Sequence, residues 1–344
     1  MHTHRKAPLL VAVVLVAAAL AQTEFKDIES RVTEFSLANG QKFVVLERHN
    51  APVVTCLTYA DVGAAQEVKG ITGLAHLFEH MAFRGTTAIG TKNWAKEKVL
   101  LDKVETAYYA LRDEKRKGAK ADPAKLKQLE QAFKDIQEEA GKLTAKEEFG
   151  EIVERAGGRD LNAGTNVDAT LYFFSLPSNQ AELWFFLESE RFRDPVFRDF
   201  YKERDVVMEE RRLSESQPLG RLLEEFQAIA FKSHPYGEGV IGHMSDLQNL
   251  TTADAQAFFK KYYIPSNLTT AVVGDVNPKR IRELAEIYFS RLPSGPKPEP
   301  LRTVESPQQG ERRVALRLQS QRVIVMGYHK PDINHPDNAV YDAI

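Results

Sequence analysis

The sequence predicts an α+β protein, and three observations lead there. The dipeptide Asn39-Gly40 divides two β-rich runs within residues 35–47, the mark of a hairpin. Strand-like segments recur at 53–60, before Pro177 and at 267–275. Between them lie segments whose apolar residues return at the three-to-four-residue spacing of a helix. Composition suits a soluble globular chain, with 43% of the 344 residues hydrophobic and 27% charged. That length accommodates two domains. Lys+Arg 46 against Asp+Glu 48 leaves a formal net charge of -2, which gives no electrostatic footing for a nucleic-acid partner. Cys56 is the single cysteine, so it forms no internal disulfide, and any metal must be held by His and carboxylates.

Residues 1–21 read as a secretory signal peptide. Arg5 and Lys6 precede an apolar run over 7–21, and Ala19-Leu20-Ala21 puts small residues where a signal peptidase cuts. The run is short of the roughly 20 apolar residues of a membrane span, and no cysteine follows it for a lipid anchor. The expectation is a secreted chain, in a bacterial periplasm, with no membrane association after cleavage. A folded domain then occupies 24–293. Its hairpin and the strand at 53–60 lead into a loop at 63–73 with three glycines, which opens into a helix over 74–83. Residues 98–146 are charge-dense and Leu/Ala-rich. They break at 118–123, where Asp122 as N-cap and Pro123 at the first helical position restart a helix. Leu126, Leu129, Phe133, Ile136 and Ala140 follow at helical spacing, so the segment reads as an inserted two-helix hairpin. A solvated surface feature is preferred there to a partner-binding arm.

Residues 162–177 read as a loop followed by a strand, 183–193 and 200–213 as helices, 267–275 as a buried strand and 278–289 as a helix. Five of the 16 prolines fall within 292–310, which marks a linker at 294–311. Residues 312–328 read as strand–turn–strand. The segment 312–344 is too short for a core of its own and reads as the incomplete start of a second domain.

The chemistry concentrates on two helices. His76-Leu77-Phe78-Glu79-His80 is an HxxEH motif, whose chance frequency in a chain of this composition is at most about 0.03. On a helix, His76 and His80 share a face and can reach one metal. Glu79 falls on that face too, suited to take a proton from water at the metal. Catalytic zinc usually has three protein ligands. The third is sought in 201–213, where Glu203, Val206, Val207, Glu210 and Leu213 form one helical stripe directed at the interior. Glu209, Arg211 and Arg212 lie off that stripe, on a solvated face. Glu203 and Glu210 are the two candidates.

HLFEH, preceded by Gly73-Leu74-Ala75 and followed by Met81-Ala82-Phe83-Arg84-Gly85-Thr86, resembles the inverted-zincin metallopeptidases: pitrilysin, insulin-degrading enzyme and the mitochondrial processing peptidases. The likeness runs from about residue 30 to 330. It takes in Leu37-Ala38-Asn39-Gly40, the loop 63–67, residues 161–163 through 170–172, the helix around 203–210, and Arg291-Leu292-Pro293. The resemblance implies one half of a clamshell, an antiparallel sheet flanked by helices, with 312–344 opening a second similar half. It implies that His76, His80 and Glu210 bind one Zn2+ per chain, that Glu79 is the base and that Glu203 is a nearby catalytic carboxylate. Substrate peptide is expected to add to a sheet edge at Asn162 and Ala163. The implied activity is a zinc endopeptidase acting on peptides or unfolded segments. The alternative is a non-catalytic zinc-binding or scaffold subunit, whose usual mark, a degraded HxxEH, is missing here. The chain departs from the family in two ways. His80 and Glu210 lie 130 positions apart, an excess accounted for by the 98–146 hairpin. The second half is nearly absent, so a longer chain or a partner subunit would have to complete the chamber.

Overall fold

The computed structural model describes residues 28–343, and the signal segment lies outside the described residues. In chain order the elements are β1 (Val32–Ser36), β2 (Lys42–Glu47), β3 (Val53–Ala60), α1 (Leu74–Met81), α2 (Trp94–Lys115), α3 (Pro123–Gly141), α4 (Glu148–Arg155), β4 (Arg159–Thr165) and β5 (Thr170–Pro177). There follow α5 (Ala181–Arg193), α6 (Phe200–Ser216), α7 (Pro218–Ala230), α8 (Met244–Leu247), α9 (Thr252–Tyr262), β6 (Leu268–Gly274), α10 (Pro278–Phe289) and the short α11 (Asn338–Asp342).

Six strands form one sheet in the order β1-β2-β6-β3-β5-β4. Every neighbouring pair is antiparallel except β2 with β6, which run parallel. The hairpin opens on Gly40 at φ +95°, a conformation that suits glycine. Asn39 anchors the turn by donating from Nδ2 to the Phe289 carbonyl at 2.8 Å, beyond the sheet. Alternate residues of each inner strand point to one face, among them Phe43, Val45, Val54, Cys56, Tyr172, Phe174, Leu268 and Val272. Helices α5 and α10 cover that face. Trp184 and Phe185 of α5 and Phe289 of α10 interlock with Phe43 and Phe174, with ring centroids 5.1–6.4 Å apart. Burying each such side chain contributes about 1.5–3 kcal/mol. The opposite face is open, with Val53 and Tyr59 exposed.

The predicted insertion is a helical hairpin, α2 and α3, and it docks rather than stands free. Tyr108 of α2 stacks on Tyr201 of α6 at 3.9 Å, Phe133 of α3 meets the same ring, and Arg204 donates to the Tyr108 hydroxyl at 2.6 Å. At its base, buried Arg198 pairs with Glu97 at 2.7 Å and donates to the carbonyls of Arg84, Thr86 and Ile89. Asp122 caps α3 by accepting from the Ala124 and Lys125 N–H groups.

Glu114, buried near the hairpin's turn, accepts from Lys117 Nζ at 2.8 Å and the Asp122 N–H at 3.1 Å, and pairs with Lys125 at 3.0 Å. These donors, Lys117 foremost, hold its carboxyl down to about 2. A depressed carboxyl stabilises the fold above its unfolded value, 4.5, and that contribution is lost as pH falls through 2. Glu114→Gln is therefore expected to flatten the stability profile between those two values, read by chemical denaturation at a series of pH values. A profile identical to wild type in that window would refute it.

Three sequence expectations need correction. The stretch from Asn162 to Thr165 is strand β4, not loop. Its Asn, Ala, Gly and Thr carry no strand pattern, and it is extended because it hydrogen-bonds to β5, where Asn162 pairs Phe173 and Ala163 pairs Tyr172. Residues 312–328 form no strands, and Ile324, Met326 and Tyr328 are 87%, 79% and 91% exposed. Their β-type pattern finds no neighbouring strand among the described residues, and a strand is stable only when its backbone is paired. On α6 the inward stripe is Phe200, Glu203, Arg204, Val207 and Met208, whereas Val206 and Leu213 are exposed. Arg211, expected on the solvated face, is largely covered and bridges Glu215 and Glu224 of α7. A helix-helix contact on that side, invisible to periodicity alone, shifts the stripe.

Candidate metal centre

Helix α1 begins at Gly73, whose φ of +85° and close approach to the neighbouring loop both need glycine. A Cβ there would lie 2.3 Å from the Ile241 carbonyl oxygen. Glu67 caps the helix, accepting from the Gly73 N–H at 2.8 Å and the Ala75 N–H at 2.6 Å. Burial pushes its carboxyl up to about 8 against the downward pull of those backbone donors. Asp246 fixes the approach to the helix by accepting from the Thr72 hydroxyl at 2.7 Å and the Gly70 N–H at 2.9 Å.

The helix turn then sets His76 above His80, with ring centroids 4.9 Å apart. Helix α6 crosses it and brings Glu210 to both: Glu210 Oε2 lies 3.8 Å from His76 Nε2 and 3.7 Å from His80 Nε2. His76, His80 and Glu210 are the one His/Cys/Asp/Glu group among the described residues whose donor atoms converge within 4.8 Å. Ligands of a tetrahedral zinc with bonds of about 2.0–2.1 Å sit roughly 3.3 Å apart, so three donors at these separations suit the ion with a small contraction. Both imidazoles are mostly covered, at 16% and 19% exposure, while Glu210 is 39% exposed. The centre is thus open on one side.

Electrostatics at the two histidines differ. Burial pushes His76 down to about 4, aided by His80 and opposed by Glu210, so its lone pair is free at neutral pH. His80 is raised, chiefly by the Glu203 carboxylate, whose Oε2 lies 3.6 Å from Nδ1. It gives up a proton when it ligates. Glu203 is buried and pairs through its other oxygen with Arg84, on the turn after α1. It therefore touches one histidine but contributes no donor to the three-residue cluster.

Glu79 shares the α1 face and accepts from the Thr165 hydroxyl at 2.6 Å through Oε2. Thr165 ends β4, which forms one edge of the sheet, so Asn162 and Ala163 lie on a strand whose outer side pairs with no strand among the described residues. The Ala163 N–H is accepted meanwhile by Asn162 Oδ1 at 2.8 Å. A cavity of about 290 Å³ adjoins Glu79 and His80, walled by Phe83, Arg84, Phe149 and Glu203.

The structure thus brings His76, His80 and Glu210 together, sets Glu79 and Glu203 beside them, and places Asn162 and Ala163 on the adjoining edge. Thr165, Arg84 and Asp246 escaped sequence reasoning. Thr165 and Asp246 lie 86 and 174 positions from their partners, and no local pattern marks them. Arg84 carried one signal, its place just after the HxxEH helix.

This fold and donor set define a metallopeptidase-type α+β domain. The sequence model of the insulinase family, peptidase family M16, matches residues 42–108 and 138–243. That of the peptidase M16 inactive domain matches 249–344. The chain belongs to the insulinase (M16) peptidase family. Its match is interrupted over 109–137, the outer part of the α2–α3 hairpin. Zinc protease PqqE of Helicobacter pylori is 29% identical over 318 residues, covering 90% of this chain and 59% of that protein. The probable zinc protease PqqL of Escherichia coli K12 is 25% identical, over 84% of this chain and 25% of that protein. Among solved structures, a protease from H. pylori aligns with a TM-score of 0.57 and 28% identity, over 80% of this chain and 53% of that one. The first half of the E. coli periplasmic protease PqqL aligns with a TM-score of 0.58 at 22% identity, over 79% of this chain, a likeness of fold. The chain spans between a quarter and three-fifths of the length of these curated relatives.

Proposed function

We propose that this chain is the metal-binding half of a zinc-dependent endopeptidase acting on peptides or unfolded segments. The observation that carries the proposal is the convergence of His76, His80 and Glu210 beside the Thr165-bonded carboxylate of Glu79 and an open strand edge. Zinc held by those three residues would supply Lewis acidity toward the scissile carbonyl and acidify water. Glu79 takes the proton from water and returns it to the leaving amine. Glu203 holds His80 in orientation from its Nδ1 side, with Arg84 balancing its charge. An extended peptide adds to β4 at Asn162 and Ala163 through main-chain hydrogen bonds, the Asn162 amide yielding the Ala163 N–H to it. Selection then rests on an extended, accessible backbone.

Residues 294–311 act as a linker in this reading, and 312–344 open a second similar half. Completion of a closed chamber, by chain beyond residue 344 or by a partner subunit, fits a chain whose matches span 59% of the H. pylori zinc protease and 53% of the solved H. pylori protease. The signal-like segment 1–21 supports export, and the relative PqqL is described as periplasmic. No helix among the described residues is long and apolar enough to cross a membrane.

Metal analysis and peptide hydrolysis on the purified protein test the reading. One zinc per chain is expected, with activity lost on chelation and restored by added zinc. Zinc binding with no hydrolysis, alone or extended past residue 344, would favour the scaffold alternative. No zinc would overturn the proposal.

A further inference from the structure

We infer that Thr165 is a positioning residue for the base, tying Glu79 to the strand on which substrate is measured out. The inference rests on Glu79 being the proton acceptor. Glu79 sits on α1 and could rotate about three side-chain bonds, yet its Oε2 is held by the Thr165 hydroxyl at 2.6 Å. Oε1 accepts from no donor among the described residues and is the oxygen available to water. A hydrogen bond to a carboxylate is among the stronger kinds, and threonine, branched at Cβ, presents it from a stiff rotamer.

Thr165 is itself rigidly mounted. It is the last residue of β4, paired with Thr170 of β5, and the turn that follows is held from three sides. Asn166 Oδ1 accepts from the Asp168 and Ala169 N–H groups at 2.8 Å each. The Ala65 N–H bonds the Val167 carbonyl at 2.8 Å, and Gly63 passes so near that a Cβ would lie 2.3 Å from Asn166 O. From outside, the Tyr236 hydroxyl donates to Asp168 at 2.6 Å. The 2.6 Å contact therefore bridges two separately built units: the helix that carries the base and the edge strand that would align a peptide. A peptide added to β4 places its scissile bond relative to β4, whereas the base is placed relative to α1. Thr165 makes the two frames one.

The test compares Thr165→Val, which keeps the shape and deletes the hydroxyl, with Thr165→Ser, which keeps the hydroxyl, on the zinc-loaded protein. Thr165→Val is expected to lower kcat about 10- to 100-fold, the loss of one hydrogen bond to a charged group. KM should stay within about twofold, and zinc content and Tm should match wild type. Thr165→Ser should restore kcat to within about threefold. In a Glu79→Gln background Thr165→Val should cost nothing more, because the group it orients is gone. Wild-type kcat in Thr165→Val would overturn the inference while leaving the peptidase reading intact. Loss of zinc or equal losses in Val and Ser variants would overturn it in favour of a structural role. A wild-type protein that binds zinc and hydrolyses nothing would remove the peptidase reading and this inference with it.

Discussion

Glu79→Gln is expected to leave zinc bound and to reduce peptide hydrolysis by about 10²- to 10⁴-fold, the usual worth of a positioned general base. Glutamine matches glutamate in shape and still accepts from the Thr165 hydroxyl, so the α1–β4 contact survives the change. It cannot take a proton. Glu79 contributes no donor to the His76, His80 and Glu210 cluster, so metal content should not move. The measurement is kcat and zinc stoichiometry on the same preparation. Wild-type turnover in the variant would show that another group acts as base. A loss of zinc would instead show that Glu79 is a ligand.

Removal of a metal donor should produce a different failure. His80→Ala and Glu210→Ala are expected to lose the zinc as well as the activity, because two remaining donors no longer enclose the ion. Glu203→Gln tests the outer layer. It keeps all three donors and weakens orientation of His80, so zinc affinity should fall by about 10- to 100-fold rather than vanish. Zinc analysis after dialysis separates the three. Retention of a full equivalent of zinc in Glu210→Ala would overturn the ligand set and return Glu203 to candidacy.

These expectations show how much was legible beforehand. The HxxEH face is a local property: four residues span one helical turn, and the spacing alone puts His76, Glu79 and His80 on one side. The capped start of α3 at Asp122-Pro123 and the β1–β2 hairpin were legible for the same reason, since cap and turn chemistry act within a few residues. On α6 periodicity narrowed the third donor to Glu203 and Glu210 but misplaced Val206, Leu213 and Arg211, because the direction of a helix is set by what packs on it. Strand β4 is missed by pattern, since an edge strand of small and polar residues around one leucine is extended by its neighbour and not by its own preference.

The sequence by itself determined the motif chemistry, the cysteine-free donor set, the inserted hairpin and the order of most helices and strands. All of these follow from spacings of ten residues or fewer or from composition. Periodicity left Glu203 and Glu210 open and the family resemblance pointed to Glu210; the tertiary structure sets Glu210 Oε2 against both imidazoles, holds Glu79 by Thr165, and leaves 312–328 without a strand partner among the described residues. Each depends on groups brought together from far along the chain, where packing and backbone pairing, not local preference, set the geometry.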